Sequence, residues 1–222
     1  MDQTFLYHAL ALAASGQIIV PFQHTIEVQA PSALPYTGGY SASEAREFRY
    51  QHIASFASAH SVTTGSEIGG AFNTLATATV EGLNILDVVT ADLVVARLAS
   101  RYSPDTKERV NSFAGSHFVN LRIAGCPVEV KIDPERLKSA RQSESARFGT
   151  LGVVDGLEGT RGVELLESGA FHVSHFGTIY LGEIVITRCY QTLSMLRIDL
   201  GSAVKGKVVV AHASTDGEPM PG

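Results

Sequence analysis

Apolar and polar residues alternate with a period of two along much of this chain. Val94, Ala96 and Leu98 fall on one side of a run whose other side carries Arg97 and Arg101. Val128, Val130 and Ile132 alternate with Glu129 and Lys131, and Leu196, Ile198 and Leu200 with Arg197 and Asp199. Successive side chains on a strand point to opposite faces, so each run reads as a strand with one dry and one wet face, the habit of antiparallel sheets. The same reasoning predicts strands over 5–13, 17–28, 53–63, 74–81, 117–124, 178–187 and 206–213. Turn residues separate them at Ser15-Gly16, Gly38-Gly39, Gly69-Gly70, Ala124-Gly125 and Lys205-Gly206.

Two segments break the pattern. Residues 30–44 hold two prolines and a glycine pair, which suit neither helix nor central strand, so a long surface loop is expected. Residues 129–167 carry 14 charged side chains in 39 positions, against 5 in the 48 positions from Ile53 to Ser100. Within that region Asp133 and Pro134 form a helix-start signal, with Asp as cap and Pro in the first turn. The signal predicts a polar helix over 136–148. The expected architecture is therefore one all-β domain spanning 1–222, mainly an antiparallel β-sandwich or barrel. A charged insertion over 129–177 would hold its single short helix.

Composition narrows the function. The chain has 22 acidic and 17 basic residues, a formal charge of −5 and no run of Lys or Arg. Nucleic-acid binding relies on clustered positive charge that releases counterions, so it is excluded as an expectation, and docking on an anionic membrane with it. No stretch approaches the roughly 20 apolar residues of a membrane-spanning helix, and no membrane insertion is expected. The apolar start, from Phe5 to Ala14, resembles an export signal. It lacks a positive leader and is interrupted by His8, so it reads as a first strand. Cys126 and Cys189 are read as buried free thiols or as one disulfide, the second requiring an oxidising compartment.

Several motifs invite a chemical reading. Gly201 to Lys207 matches the first seven positions of a phosphate-binding loop, but Val208 stands where a magnesium-binding hydroxyl belongs. Val208-Val209-Val210 continues as a strand rather than a helix, so a hairpin turn is expected. His172 and His175 are candidate metal ligands. Three or four convergent ligands are usual for a metal, and neither the other histidines nor the cysteines stand at diagnostic spacing, so no metal or other cofactor is assigned. Ser116-His117 after Gly115 is not a nucleophile elbow. Glu164 and Glu167 read as solvated carboxylates, and Gly156, Gly159 and Gly162 lack the strand that a dinucleotide fingerprint requires. No catalytic residue is assigned. Tyr36, Tyr40, Phe48 and Tyr50 either pack a loop onto the sheet or form a recognition surface, since Tyr offers contact area at low entropic cost.

Several stretches, in order, resemble the bacterial choice-of-anchor P family of β-rich exported domains. They are Tyr7 to Gly16, Ala76 to Leu86, Val89-Thr90-Ala91-Asp92, Asn120 to Val128 and Gly206 to Ser214. The resemblance implies a non-enzymatic, secreted or surface-displayed module and carries no catalytic residues with it. The expected function is a structural or adhesive β-domain working through protein partners, copies of itself included, since Gly/Ala/Val-rich strands leave edges that can pair. The alternatives are a β-barrel or sandwich that encloses a small apolar ligand and an enzyme without a recognisable motif, and for location the cytoplasm.

Overall fold

The computed structural model describes residues 5–132, 146–150, 152–157, 160–186 and 190–219. Strands β1 (Phe5–Val20), β2 (His24–Gln29) and β3 (Ser32–Ala33) precede four long ones, β4 (Gly39–Tyr50), β5 (Ala54–Ile68), β6 (Ala71–Ile85) and β7 (Val89–Ser103). Short strands follow: β8 (Glu108–Ser112), β9 (His117–Val119), β10 (Arg122–Ile123), β11 (Cys126–Pro127), β12 (Glu129–Ile132), β13 (Ala146–Thr150), β14 (Gly152–Asp155), β15 (Val163–Leu165) and β16 (Phe171–Val173). Last come β17 (Gly177–Ile186), β18 (Gln191–Gly201) and β19 (Lys205–Pro219). Among the described residues there is no helix.

These strands form two antiparallel sheets. The first has the order β15-β16-β17-β18-β19-β1-β2, with β13 also on β17 and β3 also on β1. The second has the order β11-β10-β7-β6-β5-β4, with β8 and β9 also on β7. A small ribbon of β12 and β14 stands apart. Strands β18, β19 and β1 pack against β5, β6 and β7, giving a sandwich whose inner faces bury one continuous core. Its middle is made of small residues: Ala11, Ala13, Ala76, Ala78, Ala96 and Ala213 are all fully buried. Larger side chains fill the first sheet's side, where Ile179, Leu181, Ile184, Leu193 and Leu196 are inaccessible. Each contributes about 1.5–3 kcal/mol by leaving water. At one end Phe5 stacks on Phe72 at 4.4 Å, and Tyr102 lies 5.7 Å from Phe5. There Arg109 of β8 reaches across to Asp216 of β19 at 3.3 Å, tying the sheets together.

The long strands are not uniform. In β6, Thr74, Ala76, Ala78 and Val80 point inward, then Leu83 and Ile85 do. The inward set changes from even to odd positions at Gly82, whose φ is +64°. The same change crosses β4 at Glu47 (φ +51°), β5 at Ala57 and β7 at Asp92. These four positions form one row, because Arg46 faces Ser58, Ser58 faces Glu81 and Glu81 faces Leu93 in the ladders on either side. The first sheet has a matching row at Gly182 (φ +63°), Met195, Ala211 (φ +50°) and Ala13. A left-handed residue inside a strand leaves two neighbours on one side without moving the register, as a bulge would, and lets long strands bend. Each sheet is thus creased once, across four neighbouring long strands.

The structure corrects several expectations. Residues 30–44 are not a surface loop. Ala30, Ser32 and Leu34 are buried, β3 pairs with β1 at Leu10 and Ala11, and pairing continues through Leu34 N–H to the Ala9 carbonyl and Tyr7 N–H to the Tyr36 carbonyl. Pro31 and Pro35 occupy the positions that alternate with the buried ones on this edge, where a proline is tolerated. Buried Ser32 is satisfied by the Ser41 carbonyl at 2.9 Å and the Thr63 hydroxyl at 3.0 Å. Ser15-Gly16 is no turn: β1 runs through it, and Gly16 allows a close strand approach, since a methyl there would lie 2.6 Å from the Lys207 carbonyl oxygen. Of the helix expected over 136–148, residues 136–145 lie outside the described residues. Ala146 to Phe148 are in β13, paired with Ile186 to Ile184, so an open sheet edge prevailed over helix propensity. The segment 129–177 also supplies β15 and β16 to the first sheet. Gly201 to Val208 forms the β18–β19 hairpin, with Gly201 facing Lys205.

Candidate functional site

The second sheet turns its outer face to solvent between the crease and the Phe5 end. Its register arranges that face in rows. Ser66, Asn73, Arg101 and Val110 form one row; Tyr40, Thr64, Leu75, Ala99 and Ser112 form the next; Ala42, Val62, Thr77 and Arg97 form a third. Residues two apart on a strand are separated by about 6.7 Å and neighbouring strands by about 4.8 Å. The rows therefore enclose a shallow groove of about 260 Å³ floored by Leu75 and Ala99 and walled by Thr64, Ser66, Asn73, Arg97, Arg101 and Val110.

The two arginines are the chemical feature of this face. Both are exposed, and among the described residues neither has an acidic partner within ion-pair distance. Arg97 is held from below. The side chain of Ser116 accepts the Arg97 N–H at 2.8 Å and donates to the Arg97 carbonyl at 3.0 Å, replacing ladder bonds where β8 has ended and β9 has not begun. Gly115, with φ +92°, passes close to the guanidinium stem, and a methyl there would lie 3.2 Å from Arg97 Cδ. Ser116 is thus a backbone clamp rather than a nucleophile. The Nδ1 atom of His117 lies 2.8 Å from the Gly115 carbonyl oxygen.

The first sheet holds a second polar group, on its outer face. The Arg197 guanidinium donates to both Glu183 oxygens at 2.7 and 3.1 Å and to Asp199 at 2.6 Å. It lies 3.5 Å from the centre of the Tyr180 ring. Arg197, expected on a wet face, is buried, because a carboxylate fork and an aromatic face replace its water. Burial alone would lower its pKa, but the hydrogen bonds and charges of Glu183 and Asp199 outweigh that and raise it. Beside them Ser194 Oγ and His212 Nδ1 are 2.9 Å apart. Burial pushes the His212 pKa below 6.5, Lys207 adds to that, and Glu183 opposes both. A neutral imidazole next to a hydroxyl resembles a catalytic pair. However, Ser194 pairs with Glu183 on one side and His212 on the other, so its backbone is committed to the ladder and offers no oxyanion donors. The side chains of Arg197, Glu183 and Asp199 and the Ser194–His212 pair thus form a polar cluster on the first sheet.

The sequence-derived candidates separate in space. Tyr40 stands on the outer face of the second sheet, 65% exposed, at the end of the groove's central row. Tyr36 is equally exposed but lies near His8 of the first sheet, ring centres 6.4 Å apart. Phe48 stacks on Phe56 at 4.8 Å, and with Tyr50 it leans on the core. The four are not one surface. His172, on β16 opposite Glu164, and His175, in the following turn with φ +61°, are both exposed. Among the described residues no three His, Cys, Asp or Glu side chains gather as metal ligands. Cys126 is a free, half-buried thiol, with the Thr160 hydroxyl 3.6 Å from its sulfur; Cys189 lies outside the described residues. A second groove, of about 530 Å³, runs between Phe118, Asn120 and Leu121 on one side and Val128, Glu129 and Asp155 on the other.

No curated protein and no solved structure matches the chain. A family model does match, over residues 5–155, which takes in every strand of the second sheet and its outer face. The chain belongs to that family, described as a domain of unknown function, DUF8256.

Proposed function

We propose that this domain is a non-catalytic adhesive or structural module, secreted or displayed at a bacterial surface, that works by contact through the outer face of its second sheet. One observation carries the reading: an open strand face keeps two arginines that have no acidic partner among the described residues beside a groove, in a chain whose acids outnumber its bases. Charge left unpaired on an ordered face is available to a partner, and such pairs steer encounter and set specificity. The resemblance to exported choice-of-anchor domains supports the location.

Contacts between copies of the chain are assigned to faces rather than to the β4 edge. That edge carries Glu44, Arg46, Glu47 and Arg49 and is interrupted by left-handed Glu47, devices that discourage addition of another strand. The alternative of an enclosed apolar ligand finds less support, because both described grooves open to solvent and mix polar with apolar walls.

Adhesion of domain-coated beads to bacterial cells tests the proposal. The unaltered domain is expected to hold beads on cells. Arg97→Ser with Arg101→Ser is expected to release them, and the control Glu164→Gln, on the first sheet, to leave adhesion unchanged. Equal adhesion of the arginine variant would refute the reading.

A further inference from the structure

We infer that the groove on the outer face of the second sheet binds an extended acidic polysaccharide, an inference that rests on the reading of that face as the contact surface. Three features of the groove point to sugar rather than to another anion. Leu75 and Ala99 give a flat apolar floor two strands wide, suited to the C–H face of a sugar ring. Thr64, Ser66, Asn73 and Ser112 border it with hydroxyls and one carboxamide, groups that both donate and accept, as sugar hydroxyls require. Arg97 and Arg101 stand four residues apart on β7, so their Cα atoms are about 13 Å apart on one face with only Ala99 between. That spacing sets one guanidinium fork on each side of the central row, each able to take one carboxylate or sulfate in bidentate fashion from a chain lying along that row.

The surroundings favour a polymer. The central row runs from Tyr40 to Ser112 across five strands, about 19 Å, and ends on an exposed ring available for stacking. A groove open along its length receives a chain segment, whereas a small molecule is usually enclosed. Other polyanions fit less well. Single-stranded nucleic acid calls for stacking aromatics along a basic channel, and Tyr40 is the one aromatic residue of the three rows. Duplex DNA calls for many phosphate contacts. An acidic peptide adds to a free sheet edge, but β6 and β7 are paired on both sides here. Glu108 faces Ser103 beyond Arg101 and places an acid next to the first row.

Titration calorimetry on the whole domain tests the inference. The probes are polygalacturonate oligomers, the same oligomers methyl-esterified, a sulfated glycan, poly-glutamate and duplex DNA. Binding to polygalacturonate or to the sulfated glycan is expected, and which of the two binds tells carboxylate from sulfate as the anionic group. Esterification, Arg97→Ser or Arg101→Ser is each expected to weaken polygalacturonate binding about tenfold or more, the loss of a charge-assisted pair. Arg101→Lys keeps the charge but not the fork, and an intermediate loss is expected. Unchanged melting temperatures would show that the variants fold. Poly-glutamate or DNA binding as tightly as the glycans would overturn the inference, as would an absence of glycan binding. If glycans fail while bead adhesion still depends on both arginines, the acidic polysaccharide falls and the contact face stands. If adhesion is indifferent to them too, both fall.

Discussion

Replacing Arg197 by Met removes one half of a buried charge pair and leaves the other half in place. The Arg197 and Glu183 side chains are 9% and 8% exposed, so little water can reach the carboxylate that remains. Breaking such a pair costs about 3–5 kcal/mol, a large share of the roughly 5–15 kcal/mol that holds a domain folded. In a chain of this size each kcal/mol moves the melting temperature by about 2–4 °C, so Arg197→Met is expected to lower it by roughly 10 °C. Glu183→Gln is expected to cost less, about 1–3 kcal/mol, because Asp199 still holds the guanidinium at 2.6 Å and is itself 41% exposed. With both replaced, neither half of the buried pair is left, and the Asp199 carboxylate that loses its arginine is 41% exposed to water. The double variant is expected to recover at least about 2 kcal/mol relative to the sum of the single changes, a coupling of the size contacting residues show. Urea unfolding of the four proteins gives the cycle. Additive costs, or a loss below about 1 kcal/mol for Arg197→Met, would refute the claim that this pair is sealed from water.

Other outcomes follow from the same geometry. The His212 pKa is depressed, chiefly by burial, so the unfolded chain binds a proton more readily than the folded one. Stability is then full above the unfolded value of 6.5 and declines as pH falls through the folded value. Melting temperatures from pH 8 to pH 5 should show that decline, and His212→Gln should flatten it; an equal slope in the variant would contradict the assignment. Ala96, fully buried between the sheets, leaves no room for growth. Ala96→Leu is expected to cost about 1–3 kcal/mol or more in chemical unfolding, and a neutral result would mean that the sheets are not closely packed there. Ser116→Ala removes both bonds to the Arg97 backbone and strands its N–H and carbonyl. A loss of about 1–3 kcal/mol is expected, with weaker polygalacturonate binding than an equally destabilised core variant shows.

The fold was legible wherever a strand kept its alternation. Val94, Ala96 and Leu98 are buried with Arg97 and Arg101 on the opposite face, as the pattern requires. It was illegible where alternation changes phase. At Gly82, Ala211 and their neighbours the inward set shifts by one residue, and a single Ala carries no local mark of a positive φ. Residues 30–34 also alternate, but Ser32 is a polar residue in an inward position, and its burial depends on the Thr63 hydroxyl 31 residues away. The burial of Arg197 depended on Glu183, 14 residues earlier, and no spacing rule joins them. The site divides in the same way. That both arginines face outward follows from β7 alone, whereas their company with Thr64, Ser66 and Asn73 follows from the register of β5, β6 and β7. Of the four candidate aromatic residues, Tyr40 alone stands on this face. Tyr36 goes to the other sheet, and Phe48 and Tyr50 go to the core.

The claim that the outer face of the second sheet is the working surface is tested most directly by mapping it in solution. Isotope-labelled domain would be titrated with polygalacturonate oligomers while the Arg Nε–Hε and backbone amide signals are followed by NMR. The largest shifts are expected at Arg97, Arg101, Thr64, Asn73, Leu75 and Ala99, with the Arg197 signal unmoved. Shifts concentrated on the first sheet, or along the groove from Phe118 to Asp155, would contradict the account.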